Sequence, residues 1–308
     1  MPSPVSTNTT SIAHIPLISN ARFRAMQTPV DVDKLVARGT PAEQDAALAL
    51  LILEASTATY GIVHQLLYAT VDTEEDELEA DRWGRLLIHP RFFPVVQLLN
   101  LWTGSDPGSL VAATSLKSVE VAPKRIVIPA GGGGTALLTS SSGPIQFGDG
   151  GFGFRGAVDK PPTYARWQYV NGFPVTSLAE PAAAGATEIQ VVSSTGILAG
   201  TPLRLEDGAD REPVTVQWDS LGTTVPCAPL ANAHLAGAWV TALPADIERA
   251  IGLIVTALVK TTRGAAALIA GSTVADKSSP DPLGAGRDWA LAQQLLTQGD
   301  YVAVGGSS

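Results

Sequence analysis

The stretch Tyr169-Val-Asn-Gly-Phe-Pro174 (YVNGFP), and the one that answers it, Leu243-Pro-Ala-Asp246 (LPAD), decide how this 308-residue chain is organised. The first closes the alternating pattern Tyr164-Ala-Arg-Trp-Gln-Tyr169-Val with a Gly and a Pro, residues that end a strand. The second opens a helix, with Pro and an acidic residue in its first turn. If residues 175–242 are taken out, the strand leads into the helix by a short turn. Exposed junctions of Gly and Pro that leave a sensible host chain mark an insertion.

The segment between the junctions reads as all-β. Thr187-Glu-Ile-Gln-Val-Val192 alternates, and Pro202-Leu-Arg-Leu-Glu206 runs into Asp207-Gly208, a hairpin-turn pair. Pro213 to Gln217, Thr223 to Cys227 and Ala238 to Thr241 complete a series of short strands at roughly ten-residue spacing. That pattern predicts a small β-barrel or sandwich.

The host is helical at both ends. Thr40-Pro41-Ala-Glu43 combines a Thr cap, a Pro at the first helical position and a Glu placed for a capping box. It predicts a helix to about Leu67 with Leu48, Leu51, Ile52, Ala55 and Ala58 on one face. Strands are expected over Arg85 to His89, Phe93 to Trp102 and Lys124 to Ile128, followed by a Gly/Ser-rich loop at 130–162. A helix from Leu243-Pro244 carries Ile247, Ala250, Ile251, Ile254, Val255 and Leu258, stopping near Arg263-Gly264. A last helix spans Arg287 to Thr297. The expectation is an α+β fold: a polar arm at 1–20, a core at 21–174, an inserted β domain at 175–242, and C-terminal helices at 243–308.

Composition narrows the function. A net charge of −9 argues against a nucleic-acid grip built on basic patches. The single Cys227 excludes an internal disulfide. Residues 1–14 are polar and lack a basic leader region, and Ala250 to Val259 is read as the longest apolar run, too short for a membrane span. A soluble protein without a membrane partner is expected.

No constellation of residues forms an active site. Gly151, Gly153 and Gly156 have G-x-G-x-x-G spacing, but Pro161-Pro162 blocks the helix that would hold a pyrophosphate, and no acidic residue stands about twenty positions on. His14, His64, His89 and His234 stand singly, which favours structural roles over metal ligation. Cys227 reads as a buried apolar thiol, and Ser140 to Ser142 as loop serines without a base. The run from Asp72 to Asp81, with seven carboxylates in ten positions, lacks the turn glycine of a calcium loop and reads as a solvated segment. No enzyme activity, cofactor or metal is expected.

Read in order, several pieces resemble the head-to-tail adaptor (connector) proteins of long-tailed bacteriophages, over about Asp31 to Val127 and Tyr164 to Leu296. They are Asp31-Val-Asp33 before the capped helix at Thr40-Pro41, then His89-Pro-Arg-Phe-Phe-Pro94-Val-Val96, then Tyr169 to Pro174. Last comes Leu243-Pro-Ala-Asp-Ile247, followed by Leu258-Val-Lys-Thr-Thr-Arg-Gly264. The β segment is similar to an insertion seen in longer adaptors and other virion proteins. The resemblance implies a homo-oligomeric ring of about a dozen copies in the phage neck, assembled in the host cytoplasm beneath the portal protein. Such a ring extends the channel for double-stranded DNA without binding it specifically, and docks a stopper or tail-completion protein. It also implies that the C-terminal segment reaches the portal. Beyond the Gly- and Pro-rich link Ser278 to Gly286, Trp289, Leu291, Leu295, Leu296 and Tyr301 are the candidate docking residues. Two other readings remain: another virion component (stopper, tail-tube or baseplate protein), and a carbohydrate-binding module using Trp218 and Trp239.

Overall fold

Strong local signals nucleate the helices where the sequence places them. The computed structural model describes residues 15–81, 84–129, 163–208, 210–262, 284–299 and 301–303. Helix α1 (Asn20–Ala25) is capped by Ser19, whose hydroxyl accepts the Arg22 N–H at 3.0 Å. Helix α2 (Pro41–Val63) opens with the full capping box: Thr40 Oγ1 accepts from Glu43 N–H, and Thr40 N–H donates to the Glu43 carboxylate at 2.7 Å. It stops four residues before the expected Leu67, because His64 turns left-handed (φ 56°) and its N–H closes on the Tyr60 carbonyl. Helices α3 (Ala245–Thr262) and α4 (Ala285–Gln298) follow later in the chain.

The described residues divide into two compact units, one within residues 71–171 and the other made of the remaining described residues. The first is all-β. Strands β1 (Thr70–Leu78), β3 (Val95–Gly104), β4 (Val111–Ala112) and β7 (Thr163–Asn171) form one sheet in the order β1-β7-β3-β4. Strands β2 (Leu86–Ile88), β5 (Glu120–Ala122) and β6 (Arg125–Ile128) form a second, ordered β2-β6-β5. Leu86, Ile88, Leu101, Ile126, Ile128, Trp167 and Tyr169 bury together in its core.

The acidic run at 72–81, expected to be solvated, is instead largely strand β1. Its alternation is inverted, with Val71 40% exposed while Asp72 and Glu74 are buried. Tertiary hydrogen bonds override the charge pattern here.

The second unit holds two hydrophobic clusters. In one, α2, α3 and α4 pack Leu48, Ile52, Ile251, Ile254, Val255 and Leu296 together with Phe23 of α1. Leu17 and Ile18, within the stretch read as an arm, are buried in the same cluster; residues 1–14 lie outside the described residues. The other cluster fills a barrel. Strands β10 (Pro202–Asp207), β11 (Asp210–Thr215), β13 (Trp239–Thr241) and β8 (Val175–Ser177) run in the order β11-β10-β13-β8. Strands β9 (Glu188–Gln190) and β12 (Thr224–Pro226) pair with each other. The bridges Leu178–Val191 and Val216–Cys227 join the two sheets, so the ring of strands closes. Gly208 (φ 62°) makes the β10–β11 turn that Asp207-Gly208 predicts.

The YVNGFP corner has a specific steric task. Gly172 has φ 85°, and a Cβ there would lie 2.5 Å from the Tyr68 carbonyl oxygen. Phe173 bridges Tyr68 in parallel, its N–H donating to the Leu67 carbonyl at 2.9 Å. Only glycine fits.

Candidate functional site

The C-terminal residues singled out by the sequence are held against the subunit's own core. Leu296 is fully buried; Trp289, Leu295 and Tyr301 are half-buried against the helical cluster; Leu291 is 37% exposed. The cause lies in α4, which turns Ala285, Asp288, Ala292 and Leu296 inward at helical spacing. Asp288 then meets Lys260 of α3 at 2.6 Å, both side chains buried. Tyr301 donates its hydroxyl to Asp246 at 3.0 Å and stands edge-on to Phe173, ring centres 6.0 Å apart. Burial, with the Asp246 carboxylate as hydrogen-bond acceptor and neighbouring charge, pushes the phenol well above its ordinary range. The Ala303 N–H donates to the Val63 carbonyl at 2.9 Å, tying the tail to the end of α2. Residues 278–283 of the link lie outside the described residues, but the helix after it packs at home.

A surface that sequence reasoning missed is the outer face of α2. This helix is long and apolar enough to cross a membrane by length and composition, yet 39% of its most apolar window is buried. It is therefore α2, not the expected Ala250 to Val259, that holds the longest apolar run. One side packs Leu48, Ile52, Ala55 and Thr59 inward. The opposite side presents Ala46, Leu50 (68% exposed), Leu53, Thr57 and Tyr60. These follow one another at 4-3-4-3 spacing, the 3.5-residue repeat of a helix seam. The signal was in the sequence: Ala46 to Leu53 is apolar on every side of the helix, more than one core can bury.

The buried polar groups form structural joints. Glu248 of α3, 1% exposed, accepts from Arg22 of α1 (2.8 Å), Arg211 of β11 (3.2 Å) and Arg204 of β10, clamping the barrel to the helices. Arg204 also donates to the Leu243 carbonyl at 2.5 Å. Arg211 Nε lies 3.0 Å from Glu206 but off hydrogen-bonding line, so that contact is an ion pair. Burial and the neighbouring Glu248 charge raise the Glu206 pKa against the pull of the arginines.

Inside the barrel, Glu212 accepts from the N–H groups of Ala231 (2.5 Å) and Asn232 (3.0 Å), and from His234 Nε2 at 3.1 Å. Burial pushes Glu212 up, but these donors outweigh it and hold the carboxyl below its ordinary value. In the 71–171 unit, Glu74 takes the Tyr169 hydroxyl and the Arg91 N–H (3.1 Å), and Asp72 takes Asn171 Nδ2 at 2.5 Å. Desolvation dominates there, and the Glu74 pKa is raised.

Among the described residues, no three His, Cys, Asp or Glu side chains are grouped to hold a metal ion. Cys227 is buried in the barrel core, and burial raises its thiol pKa. His64 caps α2 and His89 is exposed at a strand end. Gly151, Gly153, Gly156 and Ser140 to Ser142 lie outside the described residues. The fold also creates an interleaving of base and aromatic that the linear reading did not foresee: Arg91 lies 5.3 Å over Phe92, and Lys124 lies 5.2 Å over Phe93.

No protein-family model matches the chain, and no curated protein matches it. Among solved structures it is similar to a chain in the neck of an empty GTA particle computed with C6 symmetry. The identity is 14%, over 90% of this chain and 92% of that one, with a TM-score of 0.31, too loose a superposition to carry an argument about fold or role.

Proposed function

We propose that this chain is a structural component of a phage neck, a head-to-tail adaptor that assembles as a homo-oligomeric ring beneath the portal, in virions built in the host cytoplasm. The observation that carries the proposal is the outer face of α2, where Leu50 stands 68% exposed on a capped core helix, apolar surface of the kind that marks a protein contact. The pieces that resemble adaptors also sit at joints of the fold. Asp31 caps a short 3-10 turn (Val32–Lys34) through Asp33 N–H, Gly172 admits the Tyr68 carbonyl, and the helix after Leu243-Pro244 brings Glu248 to its arginines.

In this reading the work is mechanical: the ring extends the DNA channel and offers the stopper or tail a surface, with no catalysis. Each phosphate contact adds salt-dependent affinity, so a conduit of net charge −9 lets duplex DNA slide. Arg91 and Lys124 are where a grip would first appear. A second reading, another virion component such as a stopper or tail protein, is favoured by the closed barrel with Trp218 and Leu221 exposed at 64% and 80%. Mass photometry of the purified chain, alone and with portal protein, tests the proposal. A ring of about a dozen copies that adds to portal supports it. A chain that stays monomeric at every concentration and ignores portal would sink it.

A further inference from the structure

Two buried acids compete for the same arginines where the barrel meets the helices. Arg204 of β10 and Arg211 of β11 both reach Glu248 of α3 through Nη2, Arg211 at 3.2 Å. Each also turns its Nε toward Glu206 of β10, Arg211 at 3.0 Å and Arg204 at 3.8 Å. Glu206 is 5% exposed, and among the described residues neither of its carboxylate oxygens accepts a hydrogen bond. A buried acid left in that state is costlier ionised than neutral unless the cations beside it turn fully to it. We infer that Glu206 is a proton-operated catch. Protonated, it leaves Arg204 and Arg211 to Glu248, and the barrel sits tight on α3. Ionised, it draws the same arginines back into the barrel, and the joint loosens.

Each element packed around Glu206 contributes to its setting. Strand β10 supplies Arg204, β11 supplies Arg211, α1 supplies Arg22 and α3 supplies Glu248. Strand β13 supplies the cross-strand neighbour Trp239, which carries no charge. Arg22 lies 2.8 Å from Glu248 and ties α1 to the same carboxylate. Of the other charges on these helices, Arg24 is taken by Asp33 and Asp45, and Asp246 by the Tyr301 hydroxyl. Burial first, and then the Glu248 charge, raise the Glu206 pKa. Docking therefore favours the protonated acid, and by linkage the protonated acid favours docking. The stability gained is full below about pH 4.5 and is lost as pH rises through the folded value.

Hydrogen exchange of the full chain, read by mass spectrometry from acidic to slightly alkaline pH and corrected for the intrinsic rate, tests the catch. In the wild type, exchange in α1 and in the first turn of α3 should rise with pH, by up to about tenfold per pH unit, and then level off. The core side of α2 should keep its protection throughout. Glu206→Gln, whose amide stands in for the neutral acid, should match the wild type at the acidic end and hold the joint closed as pH rises. A wild-type profile that is flat at the joint refutes the inference. A rise that Glu206→Gln retains also refutes it, because another group then titrates. A rise shared by α2 means that the whole subunit opens rather than the joint, and the inference falls. It falls too if Glu206→Gln fails to fold at acidic pH, where the amide should be silent.

Discussion

The 71–171 unit and the barrel of residues 175–242 both bury carboxylates in β structure, and Glu74 in the first and Glu212 in the second are handled in opposite ways. In the first, Glu74 meets a tyrosine hydroxyl and a backbone N–H, and its partners are neutral. Desolvation wins and the acid is held toward its protonated form. At the barrel, Glu212 collects two backbone N–H groups and a histidine, while Glu248 of α3 collects three arginines. The N–H donors and the histidine there favour the ionised form of Glu212. A buried acid is thus no fixed liability; the number and charge of its donors decide what it contributes.

The largest expected effect comes from removing whole segments. Replacing residues 71–171 by a short Gly-Ser bridge from Thr70 to Gly172 should leave a cooperatively folding remainder, since Tyr68 and Phe173 are already paired. Removing residues 175–242 takes Arg204 and Arg211 from buried Glu248 and should lower the melting temperature far more. Circular dichroism melts of the two deletions compare them, and equal loss would erase the contrast. Next, Glu248→Ala should cost about 3 kcal/mol, near the low end for breaking a buried ion pair because the arginines are partly exposed. Urea unfolding reads it, and a cost below 1 kcal/mol would show that the clamp is ornamental.

By contrast, Glu74→Gln should cost only about 1 kcal/mol, because the amide oxygen still accepts from Tyr169 and Arg91 N–H. A loss as large as that of Glu248→Ala would mean Glu74 is held ionised. The smallest effect is in pH. Glu74 has a raised folded pKa, so its contribution is full below about pH 4.5 and fades as pH rises through the folded value. Glu212 has a lowered one, so its contribution is full above about pH 4.5 and is lost as pH falls through the folded value. Glu206 works in the same sense as Glu74, so Glu212→Gln is needed to isolate the barrel term. Stability of wild type minus Glu212→Gln, followed from pH 6 to pH 3, should shrink on acidification; a flat difference contradicts the assignment.

Much of the architecture could be read before any coordinates. Thr40-Pro41-Ala-Glu43 announced its helix to the residue, and Asp207-Gly208 its hairpin, since caps and turns are satisfied within four residues of themselves. The strand β1 could not be read that way. Its inward Asp72 and Glu74 depend on Asn171 and Tyr169, nearly a hundred residues away. The tail was legible as a helix and not as part of the core, because its buried anchor Asp288 looks like any surface acid until Lys260 is placed opposite.

The sequence by itself determined the helices with their caps, the short strands of the barrel and the α+β class, because each is written in local spacing and turn chemistry. Tertiary structure alone decided which acids go inside, which side of the all-round apolar α2 turns to the core, and that Trp289, Leu295, Leu296 and Tyr301 serve the subunit's own core. The physical reason is range. Propensity acts within a turn or two of chain, whereas burial and ion pairing depend on groups that only folding brings together.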